Sequence, residues 1–156
     1  MDLKNAILKK ELVFFSNLDK KKDKLEALIG LVKNENLVED AEALKKAVFS
    51  REELMSTGIG FGIGVPHVRI KDVKNIIIAI GINKNGIKDY DSLDGEPVRL
   101  VIMIIADENQ HKEYLMLLSQ IVKILKRNSI IGKLLEAKRA EEVIGLMSGN
   151  FNNNHQ

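Results

Sequence analysis

The 156-residue chain contains no cysteine, so neither a disulfide nor a thiolate metal site is open to it. It also carries little net charge. The 24 basic and 22 acidic side chains leave a formal +2, which offers no electrostatic footprint for nucleic acid. Long apolar runs are missing as well: the longest, Leu100 to Ala106, falls far short of the ~20 residues that a membrane helix needs. The opening Met1-Asp2-Leu3-Lys4 lacks the apolar core of a secretory signal. A cytoplasmic protein without direct membrane insertion is expected. Hydrophobic residues make up 45% of the chain and charged residues 29%, ordinary values for a globular domain. The length suits a single domain over 1–149 and a polar C-terminal tail over 150–156, in which His155 reads as solvent-exposed chain.

Apolar spacing predicts a helix over 19–34, with Leu25, Leu28, Ile29 and Val32 on one stripe. The Lys20-Lys21-Lys22 cluster, interrupted by Asp19 and Asp23, reads as its solvated start. A second helix from Glu39 buries Ala43, Leu44, Ala47 and Val48 and brings Arg51 close to its end. The continuous apolar stretches 75–82 and 97–106 predict strands covered on both faces, a pattern that periodicity alone does not separate from a buried helix. Asn83-Lys84-Asn85-Gly86 and Asp89-Tyr90-Asp91 read as turn and loop between them. Helices then follow over 109–126, 129–137 (Ser129 as cap) and 140–147. This order predicts an α/β fold of mixed α+β character: a three-layer sandwich with a mixed sheet between helices.

The most informative stretch is Ser56-Thr57-Gly58-Ile59-Gly60-Phe61-Gly62-Ile63-Gly64-Val65-Pro66-His67-Val68-Arg69. Glycine alternates with bulky apolar residues, the period of an extended strand with one apolar face; Phe61 reads as core, against the alternative of an exposed residue in a docking surface near the site. Four glycines in seven positions cost much backbone entropy on ordering, so bare backbone is needed there for another backbone or a ligand to come close. Pro66 removes a ladder hydrogen bond and breaks the strand, presenting His67 just beyond it. Arg69, two residues on, points to the same side. Neutral imidazole is a nucleophile near pH 7 and arginine forks onto phosphoryl oxygens, so the group points to phosphate chemistry. The alternative is a glycine-rich strand ending in an incidental histidine.

The run from Arg51-Glu52 through Ser56-Thr57-Gly58-Ile59-Gly60 to Gly62-Ile63-Gly64-Val65-Pro66-His67 resembles the active-site signature of the enzyme IIA proteins of the bacterial phosphotransferase system. The resemblance is to the fructose, mannitol and nitrogen-regulatory group, and the order of elements extends it over nearly the whole chain. It implies the same three-layer architecture, with His67 as phosphoacceptor and Arg51 as the arginine that stabilises the phosphoryl group. It implies an HPr-type phosphocarrier as donor and separate IIB and IIC components, or regulatory protein targets, downstream. No metal and no organic cofactor is implied.

The family carries a second histidine at the start of the helix after the strand ending at Ala106. Aligning the loop puts His111 there, and aligning the helix puts Tyr114 there; three residues apart, the two share a helix face. Ser56 and Thr57 are further candidates for the phosphoryl group, against the alternative of turn hydroxyls bonding their own backbone. Arg69 is a candidate for screening phosphoryl charge, against a solvated strand-end arginine. The expected role is a phosphocarrier in fructose- or mannitol-type sugar uptake; the alternative is a nitrogen-type regulator whose phosphorylation state controls protein binding.

Overall fold

A computed structural model describes residues 6–127 and 129–152. After a single 3-10 turn at Lys10–Leu12, the elements are β1 (Val13–Phe15), α1 (Lys21–Asn34), α2 (Ala41–Leu54), β2 (Gly58–Gly60), β3 (Ile63–Gly64) and β4 (His67–Ile70). They continue with β5 (Ile77–Ile87), β6 (Val98–Asp107), α3 (His111–Leu125), α4 (Ile130–Glu136) and α5 (Ala140–Asn152). The strands form one mixed sheet in the order β1-β5-β6-β3-β2, with β4 also paired to β6. The long β5–β6 pair is antiparallel, while β1–β5, β3–β6 and β4–β6 are parallel.

Alternation along β5 and β6 splits the core in two. Ile78, Ile80, Ile102 and Ile104 face α3, α4 and α5 through residues such as Leu117, Ile121, Leu134 and Val143. Ile77, Ala79, Val101, Met103 and Ile105 face α1 and α2 through Leu25, Leu28, Val32, Leu44 and Val48. The expected three-layer α/β sandwich with its mixed sheet is therefore the observed architecture. Among the described residues no helix is long and apolar enough to cross a membrane.

The glycine run is where the local expectation changes most. It is not one strand but three short ones. β2 and β3 pair antiparallel around a tight turn, in which Phe61 (φ 59°) and Gly62 (φ 76°) both adopt left-handed backbone. Consecutive positive φ values give the hairpin twist that joins two short strands. Phe61 is consequently 72% exposed at the turn, not packed in the core. β3 and β4 then lie end to end along β6, with Ile63 opposite Leu100 and His67 opposite Ile104. The break expected at Pro66 falls between them, and the Pro66 carbonyl still accepts from Ile104 N at 2.9 Å.

Other differences have local causes. Asn83 to Gly86 continue β5 instead of turning, at an irregularity in the β5–β6 register between Ile82 and Ile87. Gly86 (φ 81°) supplies the left-handed residue it needs. In α2 the buried stripe is Leu44 and Val48, with Ala47 half-buried and Ala43 exposed, because Ala43 lies about 100° round the helix from Leu44. Ser129 precedes α4 but makes no capping bond and has φ 68°; a side-chain cap requires extended backbone. α5 runs on through Asn152, so the tail expected from residue 150 is helical over its first three residues. Residues 153–156, including His155, lie outside the described residues.

Candidate functional site

His67 opens β4, and its place follows from the residues on either side. Pro66 ends the β3 segment, and the His67–Ile104 pairing anchors the backbone. The imidazole Nδ1 lies 2.6 Å from the Val65 carbonyl oxygen. A carbonyl only accepts, so Nδ1 carries the proton and Nε2 keeps the lone pair.

A cleft of about 350 Å³ is lined by Ala47, Arg51, His67, Val68, Arg69, His111 and Tyr114. Three elements converge there. Arg51 is in the last turn of α2, on the face that also carries Ala47 and Val48, and one guanidinium N–H donates to the Met55 carbonyl at 2.9 Å. Arg69 lies two residues along β4 from His67 and donates to the Glu108 carbonyl at 3.3 Å. His111 begins α3, and Tyr114 follows in its first turn. The Tyr114 ring stands 5.7 Å from the His67 ring, tilted by 41°, and 6.0 Å from the Arg69 guanidinium carbon. Burial pushes the Tyr114 hydroxyl above its ordinary pKa, against the opposing pull of Arg51 and Arg69.

Two arginines, two histidines and the N-terminal end of a helix thus border one small cleft, and its described lining contains no carboxylate. Guanidinium forks and a helix N-terminus both favour anions. The arrangement suits a tetrahedral dianion next to an imidazole nitrogen that holds a lone pair. The two alternatives for the second histidine position, His111 and Tyr114, both line the cleft.

Ser56 and Thr57 are placed elsewhere. The Ser56 hydroxyl donates to the Asp91 carbonyl at 2.6 Å. The buried Thr57 hydroxyl bonds the Glu52 carboxylate and stands 2.6 Å from the Tyr90 hydroxyl. Neither residue lines the cleft.

Glu52, Tyr90 and Lys21, none of them a candidate site residue from the sequence, form a largely buried cluster behind the site. Lys21 Nζ is 2.8 Å from Glu52 Oε2, the two side chains being 18% and 5% exposed. The ammonium also lies 4.3 Å from the centroid of the Tyr90 ring. Lys21 is therefore not a solvated helix-start lysine. The one signal available was the Glu52 that follows Arg51 in the signature.

The glycines have a concrete purpose. A Cβ on Gly58 would stand 2.1 Å from the Asp91 carbonyl oxygen, and one on Gly64 would stand 2.7 Å from Tyr90 Cζ. What comes close to these two glycines is the chain's own 90–92 segment.

Residues 6–149 match the family model described as "Phosphoenolpyruvate-dependent sugar phosphotransferase system, EIIA 2". The chain is 37% identical over 128 residues to the PTS system fructose-specific EIIABC component of Bacillus subtilis. That match covers 82% of this chain but only 20% of the relative, so the chain spans about a fifth of that protein's length. It is 36% identical over 121 residues to a nitrogen regulatory protein of Pseudomonas aeruginosa, covering 78% of each. The fold is similar to the crystal structure of nitrogen regulatory protein IIA-Ntr from Neisseria meningitidis, with a TM-score of 0.82, 28% identity, and coverage of 92% of this chain and 97% of that one. The chain belongs to the EIIA type 2 family of the phosphoenolpyruvate-dependent sugar phosphotransferase system.

Proposed function

We propose that the protein is a phosphocarrier. It takes a phosphoryl group onto Nε2 of His67 from a phosphohistidine of an HPr-type donor and passes it to a IIB component of fructose or mannitol type. The observation that carries this reading is the bond from Nδ1 to the Val65 carbonyl, which leaves Nε2 as the nucleophile beside Arg51 and Arg69. The Nε2 lone pair attacks phosphorus in line. A P–N bond forms at His67 as the P–N bond to the donor imidazole breaks, and the donor nitrogen keeps the electron pair. One P–N bond replaces another, so the transfer is close to balanced and reversible.

Catalysis here is positioning and charge stabilisation. Arg51 and Arg69 supply guanidinium donors to the phosphoryl oxygens, and His111 faces the same space from the α3 terminus. Val68, Ala47 and the buried Tyr114 ring restrict water around the phosphohistidine. Docking is transient, since the carrier must receive the group, release one partner and meet the next.

A regulatory role is the second reading. It is favoured by likeness along most of both chains to a protein named as nitrogen regulatory; the phosphorylation state would then control binding to protein targets. Both readings need the same first step. In a relay reconstituted from enzyme I, HPr and phosphoenolpyruvate, the wild-type protein is expected to take up one acid-labile, base-stable phosphate and His67→Ala none. Equal labelling of the two proteins would refute the assignment. Onward transfer to a fructose-type IIB separates transport from regulation.

A further inference from the structure

The cluster behind the cleft connects to the reactive ring by an unbroken path. Glu52 Oε1 accepts from the Thr57 hydroxyl, and Glu52 Oε2 accepts from Thr57 N–H at 3.2 Å. With the Thr57 hydroxyl proton committed to the carboxylate, the Tyr90 hydroxyl donates toward Thr57 Oγ1 across their 2.6 Å separation and also approaches Glu52 Oε1 at 3.5 Å. Lys21 neutralises the far carboxylate oxygen. The Thr57 carbonyl accepts from Val65 N–H at 2.9 Å. The Val65 carbonyl in turn accepts from His67 Nδ1–H at 2.6 Å. Tyr90 acts a second time by steric contact, because its ring lies against the Gly64 backbone, with no room for a Cβ.

From this we infer that Lys21, Glu52, Thr57 and Tyr90 are positioning residues that, by fixing the Val65 carbonyl, hold His67 in its Nδ1–H tautomer and aim Nε2 for transfer. The geometry stands by itself; its kinetic consequence rests on the phosphohistidine reading given above. None of the four touches the phosphoryl group. They connect α1, α2, the glycine hairpin and the loop after β5, so the backbone around His67 is held from four directions.

The chemical consequence is that the Nδ1 proton has no reason to move. Attack by Nε2 of a ring already protonated at Nδ1 yields an N-phosphoimidazolium whose positive charge faces the Val65 carbonyl. Onward transfer breaks the Nε2–P bond and returns the neutral Nδ1–H imidazole. No proton is taken up or released in either direction. If the Val65 carbonyl is displaced, the proton can sit on Nε2 instead, and that tautomer has no lone pair for phosphorus.

The test begins on the unphosphorylated protein, where 15N chemical shifts report the tautomer of His67 directly and require no donor. A hydrogen bond of ordinary worth biases the tautomers about fivefold, so wild type is expected to be mainly Nδ1–H. Thr57→Val removes the hydroxyl bonds to Glu52 and Tyr90 at nearly constant volume, leaving the backbone N–H bond to Glu52, and is expected to lose most of that bias. Thr57→Ser keeps the hydroxyl and is expected to restore it. Tyr90→Phe keeps the ring on Gly64 and removes the hydroxyl that reaches Thr57 and Glu52; it provides a milder loss and a second variant should Thr57→Val fold poorly. In the reconstituted relay, kcat for Thr57→Val is expected to fall on the order of tenfold from misplacement of the nucleophile. KM for phospho-HPr is expected to hold, because none of the four residues lines the cleft.

Tautomer populations unchanged in both Thr57→Val and Tyr90→Phe would overturn the positioning role even if phosphorylation is normal. A wild type that takes no phosphate, yet loses its tautomer bias in Thr57→Val, would refute the phosphocarrier reading and uphold the positioning. A uniform loss of stability in all three variants with the tautomer intact marks the cluster as purely structural and also overturns the inference.

Discussion

Lys24 provides the sharpest quantitative prediction, because the fold buries its ammonium with no carboxylate paired to it among the described residues. The side chain is fully buried. Nζ donates to Ser16 Oγ at 2.8 Å and to the Ile82 carbonyl at 3.2 Å, and it lies 5.0 Å from the Phe14 ring centroid. Gly81 provides the space: a Cβ there would come within 2.4 Å of Lys24 Cε. Burial lowers the lysine pKa from 10.5 to about 8. A folded pKa below the unfolded value means that, between pH 8 and 10.5, the unfolded chain binds more protons than the folded one. Stability contributed by this group therefore rises with pH across that window. At 1.36 kcal/mol per pKa unit, the full span is about 3 kcal/mol, all of it a penalty at pH 7.

Lys24→Met removes the titration while preserving most of the volume. It gives up two hydrogen bonds, each worth about 1 kcal/mol. The Ile82 carbonyl keeps a partner, since Ser16 N–H also donates to it at 3.0 Å. The variant is expected to be more stable than wild type by about 1 kcal/mol at pH 7 and less stable by about 2 kcal/mol near pH 10.5. The assay is urea unfolding at several pH values from 7 to 10.5, taking the wild-type minus variant difference so that shared titrations cancel. A flat difference, or one that moves against wild type as pH rises, would refute the reasoning.

Four further outcomes follow from the geometry. Arg51→Lys, which loses the planar fork while keeping the charge, should slow charging of His67 on the order of 100-fold with little change in the urea midpoint; transfer at the wild-type rate would remove Arg51 from the mechanism. His111→Ala should slow transfer on the order of tenfold, whereas Tyr114→Phe, which keeps the ring beside His67, should stay within about threefold; the reverse order of rates would give the second-histidine role to Tyr114. Gly58→Ala would drive a Cβ into the Asp91–Ser92 backbone and is expected to cost about 2–3 kcal/mol in urea unfolding; a neutral result would show that the 90–92 segment is not held as described. Phe61→Asn puts a residue tolerant of left-handed backbone at φ 59° and should raise stability by about 1 kcal/mol, read as a higher urea midpoint; an unchanged midpoint would show that the turn carries no strain.

The architecture was legible because its signals are long. The apolar stretches 75–82 and 97–106, which became much of β5 and β6, are strand-length runs, and the α1 stripe of Leu25, Leu28, Ile29 and Val32 repeats over about two turns. β1 escaped notice because Val13–Phe15 is three residues long and depends on pairing with Ile80–Ile82 across the sheet. Asn83 to Gly86 carry turn chemistry, yet strand pairing with β6 resumes at Ile87 and tertiary contact overrides the local preference. At the site, Arg51, His67, Arg69, His111 and Tyr114 could all be named in advance, since each is a chemistry-bearing residue at a marked position. That they share one cleft was implied only by the family resemblance and not by spacing, because it depends on α2, β4 and the start of α3 converging around β6.

The glycine run shows where single-chain reading stops. Alternation of glycine with isoleucine, phenylalanine and valine is the pattern of a strand, and two consecutive left-handed residues turn it into a hairpin. The need for bare backbone was readable from composition, but the neighbour that requires it was not. That neighbour is Tyr90 with Asp91 and Ser92, about thirty residues away, in a stretch whose sequence reads only as loop. A loop tyrosine that is 1% exposed, with a hydroxyl pKa raised first by burial and then by the Glu52 charge, is held as firmly as a core residue. The signature from Arg51 to His67 thus describes half of a structure whose other half is Lys21 and Tyr90. The half named by the signature is contiguous in sequence, running from the end of α2 through the β2–β3 hairpin to the start of β4. The half that steadies it can come from any element that reaches Glu52 and Gly64, which is why it leaves no mark at a fixed spacing.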